Sequence, residues 1–300
     1  MNSNTINIFF LGKGGVGKST SSALTALQLV NSGKKVLLAS MDPAHNQSDI
    51  LQIKLSEKSK EIRPDFFAKE VDVNYWVKKY LDDVASQIKH SYSYLTAFNL
   101  ENYFDVIKFS PGIEEYALLT AFKEIRENNT DKDYIIFDMP PTALALKFFG
   151  LPRISNLWLK KLLDLREKIL KKKEIMTKIQ FGKKEVEQDK ILNNLNIQIK
   201  SYSNVKTVFE NEAQTVLNLV MNTDKLSFSE SSLIVENLHE FNLRISNLFL
   251  NKYFDGFNTK EIENNFNFKG MQIFPNNTLP LLGLETLSQY LNSIDNFIDF

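Results

Sequence analysis

Three hundred residues, 43% apolar and 24% charged, supply a large hydrophobic core and exclude an intrinsically disordered chain. Basic and acidic side chains both number 36, so no global field recruits nucleic acid and no nucleic-acid partner is expected. The absence of cysteine removes disulfides, thiolate zinc sites and iron–sulfur ligation together and fits a cytoplasmic protein.

Met1 to Thr5 is polar and uncharged, which fits no secretion signal, and no run of about 18 apolar residues follows that could span a membrane. The run Ile6 to Leu11 reads as a buried strand. It leads into Gly12-Lys13-Gly14-Gly15-Val16-Gly17-Lys18-Ser19-Thr20 and then into a helical pattern from Ala23 to Val30. Four glycines let the backbone N–H groups converge, and the following helix adds the positive end of its dipole, a combination that holds polyphosphate. Lys18 is placed to reach the β and γ phosphates and the Ser19 hydroxyl to ligate Mg²⁺. ATP and Mg²⁺ are the expected cofactors.

Lys13 is a second lysine that an ordinary phosphate loop does not need. The string K-G-G-V-G-K-S-T resembles the deviant Walker A loop of the family that includes MinD, ParA, the nitrogenase iron protein and the ArsA-type ATPases. That resemblance implies a dimer closing on nucleotide, with Lys13 crossing to the neighbouring subunit's phosphates.

Gly33 ends the first helix, and Lys35 to Ser40 is a short continuous apolar strand of the parallel kind. At its carboxyl end stands Met41-Asp42-Pro43-Ala44-His45-Asn46-Gln47-Ser48-Asp49, where open α/β sheets bind ligands. Asp42 can orient the attacking water or accept its proton, and Asn46 offers an amide to the phosphate oxygens. His45 reads as a structural hydrogen-bonding residue. The string D-P-A-H-N-x-S-D resembles the first switch of ArsA and of its relatives that guide tail-anchored membrane proteins.

From Leu51 to Asn102, aromatic and apolar residues at helix-like intervals read as two or three amphipathic helices, packed on the sheet or forming half of a client groove. Phe104 to Phe109 reads as a third strand, and Ser110-Pro111-Gly112-Ile113-Glu114-Glu115 resembles a P-G-I-D-E segment of the same family. A helix through Leu118, Phe122 and Ile125 precedes the strand Asp133 to Asp138. Its terminal carboxylate, Asp138, is the expected second protein group for the Ser19-bound Mg²⁺, since a hard dication prefers oxygen ligands.

Met139 to Pro152 matches the family's second switch in part, with Ala143-Leu144 where a Gly-His pair is usual, which affects coupling to a client more than hydrolysis. Leu157 to Lys173 sets Trp158, Leu162, Leu165 and Ile169 on one face and six lysines on the others. Packing as a lid over the sheet is the first reading, with a groove wall and adsorption to an anionic membrane as alternatives. A second helix carries Ile191 to Phe209.

A strand at Val216 to Met221 follows, then a helix opened by a capping box at Ser227 to Glu230 and running to about Phe241. Arg244 to Leu250 and Met271 to Pro275 are further strands, and Leu284 to Ile298 is a closing helix. By similarity to the family, Asp224 and Asn251 flank the adenine.

The expected fold is therefore a doubly wound, mostly parallel α/β sheet of the P-loop NTPase class. It forms one domain over 1–300 with a helical subdomain from about 51–102 and 153–213. The resemblance implies an ATPase acting on a hydrophobic protein client or with a membrane-protein partner. A MinD- or ParA-like positioning switch and a non-hydrolysing scaffold are the alternatives. Without cysteine, thiol binding of arsenite and a zinc-bridged dimer are both excluded.

Overall fold

The computed structural model describes residues 5–44, 46–91, 110–177, 189–254, 256–277, 280–294 and 296–300. The strand expected at Phe104 to Phe109, and His45, lie outside the described residues.

Among the described residues, eight strands form one sheet in the order β3-β4-β2-β5-β1-β6-β7-β8. They are β1 (Ile6–Leu11), β2 (Val36–Ser40), β3 (Lys60–Arg63), β4 (Phe66–Glu70), β5 (Tyr134–Asp138), β6 (Thr215–Asn222), β7 (Asn247–Tyr253) and β8 (Gly270–Pro275). Among these described strands β3 with β4 is antiparallel and the other pairs are parallel. The helices are α1 (Lys18–Asn31), α2 (Asn46–Leu51), α3 (Val73–Ser91), α4 (Ile113–Asn128), α5 (Thr142–Thr177), α6 (Lys190–Glu210), α7 (Lys225–Glu240), α8 (Lys260–Asn265) and α9 (Leu284–Asn292). The doubly wound α/β class is as the sequence predicts.

Strand alternation divides the core into two layers. Ile8 and Phe10 of β1 face α1 and α9, while Phe9 and Leu11 face α4 to α7. On the second face Phe9 stacks on Phe137 at 4.9 Å, and Phe149 of α5 meets Phe209 of α6 at 5.0 Å. This aromatic cluster fixes the central strands beneath the loop that follows β1. Each such ring contributes about 1.5–3 kcal/mol by leaving water.

Three local sequence expectations are corrected, besides the course of α5. Residues 60–70 form a hairpin and not a helix, because Pro64-Asp65 turns the chain, with Asp65 at φ 62°, and β4 then pairs with β2. Pairing that buries Phe66 and Ala68 outweighs the helix-like spacing of their neighbours. Helix α7 opens at Asp224, whose carboxylate accepts from the Ser227 N–H at 2.8 Å, so the Ser227 to Glu230 box lies inside the helix. Helix α9 stops at Asn292, and Phe297 and Ile298 fold back against the α1 face.

The apolar stripe of α5 is the largest departure, because it does not cover the sheet. The first turns of α5 bury Ala145, Phe148 and Phe149 against the sheet core. Beyond Leu159, no residue of α5 whose side chain is described is buried, and Trp158 is 66% and Leu165 53% exposed. The helix runs past the sheet and pairs with α6. Arg166 of α5 donates to Asp189 at 2.7 Å, and Asp189 also caps the first N–H groups of α6. Among the described residues no helix is long and apolar enough to cross a membrane.

Candidate active site

Parallel pairing brings the carboxyl ends of β1, β2, β5, β6 and β7 to one edge, and the predicted site residues collect there. The loop after β1 is built by close backbone approach. Gly12 has φ 151°, and a side chain there would strike the Val220 carbonyl; Gly17 has φ 96°, and one there would strike the Asn251 amide. Gly17 precedes α1 without any side-chain cap, so the first N–H groups of α1 are left to a ligand. Gly14, Gly15, Val16 and Thr20 complete the loop and the first turn, with Val16 buried.

Lys18 is 5% exposed and donates to the Lys13 carbonyl at 3.2 Å, closing the loop on itself. Burial draws its pKa below the usual lysine value, against the charges of Asp138 and Asp42. Ser19 is buried beside it. Asp138 is fully buried, and burial pushes its carboxyl up to about 6, although Ser19, Gln47 and Lys18 all favour the anion.

A Mg²⁺ ion suits this donor set. Asp138 Oδ1 is buried without a hydrogen-bond partner, an uncompensated carboxylate oxygen that a cation or its water would satisfy. The Ser19 hydroxyl and the Asp138 carboxylate are hard oxygen donors. Among the described residues no cluster of three or more His, Asp or Glu surrounds them, as suits an ion held mainly by phosphate and water.

Asp42 follows β2, is 7% exposed, and accepts from the Ala44 N–H at 3.0 Å. That bond fixes the carboxylate at the head of the segment leading into α2, where Asn46 is the first, half-buried residue. The sequence reading passed over the next residue, Gln47. It is completely buried and donates to the Ser19 carbonyl at 2.9 Å, the Ser22 hydroxyl at 2.9 Å and Asp138 Oδ2 at 3.0 Å. A polar residue opening a helix gives no local sign of burial; only the approach of α2 to α1 creates it.

Two residues expected at the adenine already have structural partners. Asp224 caps α7, and Asn251 donates through Nδ2 to the Val16 carbonyl at 2.8 Å while accepting from the Lys252 N–H at 2.9 Å. Asn251 is thus a strut under the glycine loop. The Lys13 ammonium lies 3.5 Å from Glu230 of α7.

A glycine loop with uncapped N–H groups, set beside a buried lysine and a strand-end carboxylate, is the machinery of a P-loop nucleoside triphosphatase. Family comparison gives the branch within that class. The chain belongs to the ArsA-type anion-transporting ATPase family, whose model matches residues 5–272, and is an ATP hydrolase of that family. It is similar to the "Putative arsenical pump-driving ATPase 2" of Aquifex aeolicus, 31% identical over 81% of this chain and 79% of the relative. It is also similar to the "ATPase ASNA1 homolog" of Plasmodium falciparum, at 28% identity over 82% of this chain and 62% of the relative. The Entamoeba dispar protein of the same name is 27% identical over 82% and 75%.

Proposed function

We propose that the protein is a Mg²⁺-dependent ATPase whose nucleotide-gated dimer handles an apolar segment of a protein client. The observation that carries the client reading is the single helix α5. It starts four residues after Asp138 and carries Ile154, Leu157, Trp158, Leu162, Leu165 and Ile169 exposed on its far part. Its 36 residues span about 54 Å, with Pro152 inside the helix between the nucleotide end and the stripe. A displacement at the nucleotide end is passed to the apolar stripe along this one helix.

In the site, Lys18 neutralises the β and γ phosphates and the loop N–H groups hold them in place. Asp42 orients the water at the γ-phosphorus and takes up its proton. Asn46 donates to the oxygens that gather charge, and Lys13 leaves Glu230 to reach the partner subunit's nucleotide. Ser19 and Asp138 would hold the Mg²⁺, which when bound neutralises charge between the β and γ phosphates. Ala143 and Leu144, strong helix formers, lie inside α5, and Leu144 packs on the core, so the second switch acts through the helix start and not as a glycine-hinged loop.

Helix α3, the part of α5 from residue 153 onward and α6 form the helical subdomain of one ATPase domain, while residues 60–70 belong to the sheet. A tail-anchored protein segment is the client chemistry that suits the α5 stripe. Exposed Lys160, Lys161, Lys168, Lys171 and Lys172 flank the stripe and favour a second reading, adsorption to an anionic membrane.

The test is Asp42→Asn. Hydrolysis should fall about 10²- to 10⁴-fold with ATP still bound, and the ATP-locked protein should retain an apolar helical peptide in a pull-down. Vesicle co-sedimentation with ATP and no peptide separates the membrane reading. Unchanged turnover in Asp42→Asn would remove Asp42 from the chemistry, and peptide capture indifferent to nucleotide would remove the gating.

A further inference from the structure

Gln47 occupies the position that the D-P-A-H-N-x-S-D string leaves unspecified, yet it is the residue most deeply tied into the metal side of the site. A primary amide has two hydrogens. Three acceptors compete for them: the Ser19 carbonyl, the Ser22 hydroxyl oxygen and Asp138 Oδ2, all within 3.0 Å of Nε2. Ser22 cannot return the favour, because its own hydrogen goes to the Ser19 carbonyl at 2.9 Å. The amide cannot turn over either, since its oxygen would then face the Asp138 carboxylate and the Ser19 carbonyl. In the orientation it holds, Gln47 Oε1 is buried and unpartnered, as is Asp138 Oδ1.

We propose that Gln47 is a positioning residue for the divalent cation: it steadies the Asp138 carboxylate through Oδ2 with Oδ1 left open, and it would let the carboxylate shift onto the cation without sacrificing a hydrogen bond. The inference rests on the reading of Asp138 as a metal-holding group given above. Should the carboxylate shift toward a cation at Oδ1 and draw Oδ2 off Nε2, both Nε2 hydrogens would remain engaged by Ser19 and Ser22, so no buried donor would be stranded. Were Asp138 one of only two acceptors, its departure would leave a buried N–H bare and oppose metal binding. Alignment is therefore gained and competition avoided, and the net effect of Gln47 is to favour the cation. Through the same amide, α2 and with it Asn46 are tied to α1, so the segment from Asp42 onward is registered to the phosphate loop by the group that aligns the metal carboxylate.

The experiment uses the full chain, a fluorescent non-hydrolysable ATP analogue and a Mg²⁺ titration. Gln47→Leu should raise the Mg²⁺ concentration for half-maximal nucleotide binding about tenfold or more, a larger effect than its weakening of nucleotide binding in excess chelator. Ser22→Ala, which deletes the third acceptor, should raise that midpoint several-fold, and the effect should vanish when Gln47→Leu is already present. Without nucleotide or metal, hydrogen exchange in α2 should speed up in Gln47→Leu. A wild-type midpoint in Ser22→Ala, or a Ser22→Ala shift that persists undiminished beside Gln47→Leu, would overturn the inference. Should Gln47→Leu not fold, Ser22→Ala alone decides it. Wild-type protein that binds the analogue equally with and without Mg²⁺ would bring down the metal reading itself, a result distinct from a failure of the Gln47 variants.

Discussion

Replacing Gly17 and Asn251 singly and together measures how the phosphate loop is braced. Asn251→Ala removes the Nδ2 bond to the Val16 carbonyl, made at 2.8 Å against a residue 1% exposed. Stranding that buried acceptor costs about 1–2 kcal/mol. The companion bond from the Lys252 N–H is exposed and is replaced by water. Gly17→Ala adds about 1–2 kcal/mol for a side chain at φ 96°. Its methyl also drives into the Asn251 amide and breaks the same bond to Val16. The double variant carries the backbone strain and loses that bond once, so its destabilisation should fall short of the summed single changes by about 1–2 kcal/mol. Urea unfolding monitored by the tryptophan fluorescence and by circular dichroism reads all four proteins. Additivity within about 0.5 kcal/mol would refute the strut and leave Asn251 free to serve the ligand alone.

The other outcomes are simpler. Asp42→Asn keeps its ATP affinity while turnover falls by about 10²- to 10⁴-fold, checked by phosphate release beside nucleotide titration. Lys13→Ala should abolish nucleotide-dependent dimerisation in sedimentation velocity, while Glu230→Gln, which breaks a partly exposed ion pair, should shift stability by no more than about 0.5 kcal/mol. Trp158→Asp, at a side chain 66% exposed, should leave thermal stability unchanged while lowering capture of an apolar peptide by the ATP-locked protein. Asp131 is held down to about 2 by hydrogen bonds from Lys35 and Lys132. Its folded value lies below its unfolded one, so its contribution is present above about pH 4 and lost as pH falls toward 2. Asp131→Asn should flatten the acid arm of the stability curve in that window, and an unchanged arm would count against the ion pair.

The site was legible wherever chemistry is written in consecutive residues. Glycines at Gly12 and Gly17 are demanded by left-handed backbone and close approach, a lysine and a serine follow at fixed offsets, and a carboxylate ends each of two apolar runs. Those features determined the α/β class, the phosphate loop and the places of Asp42 and Asp138, because each is a local requirement of backbone geometry or donor type. The family resemblance carried by the same strings agrees with the match over residues 5–272.

Tertiary structure decided what each face meets. The spacing of Trp158, Leu162, Leu165 and Ile169 marked a stripe, but only the overshoot of α5 past the sheet left that stripe in water. Gln47 looked like any polar residue until α2 docked on α1 and buried it, and Phe66 carried helix-like spacing until β2 offered it a pairing edge. Asn251, 235 positions from Val16 along the chain, braces the loop from another strand. Periodicity in a sequence states that a side of an element is apolar or polar. Which surface lies opposite depends on where distant segments come to rest, and that is a property of the assembled sheet.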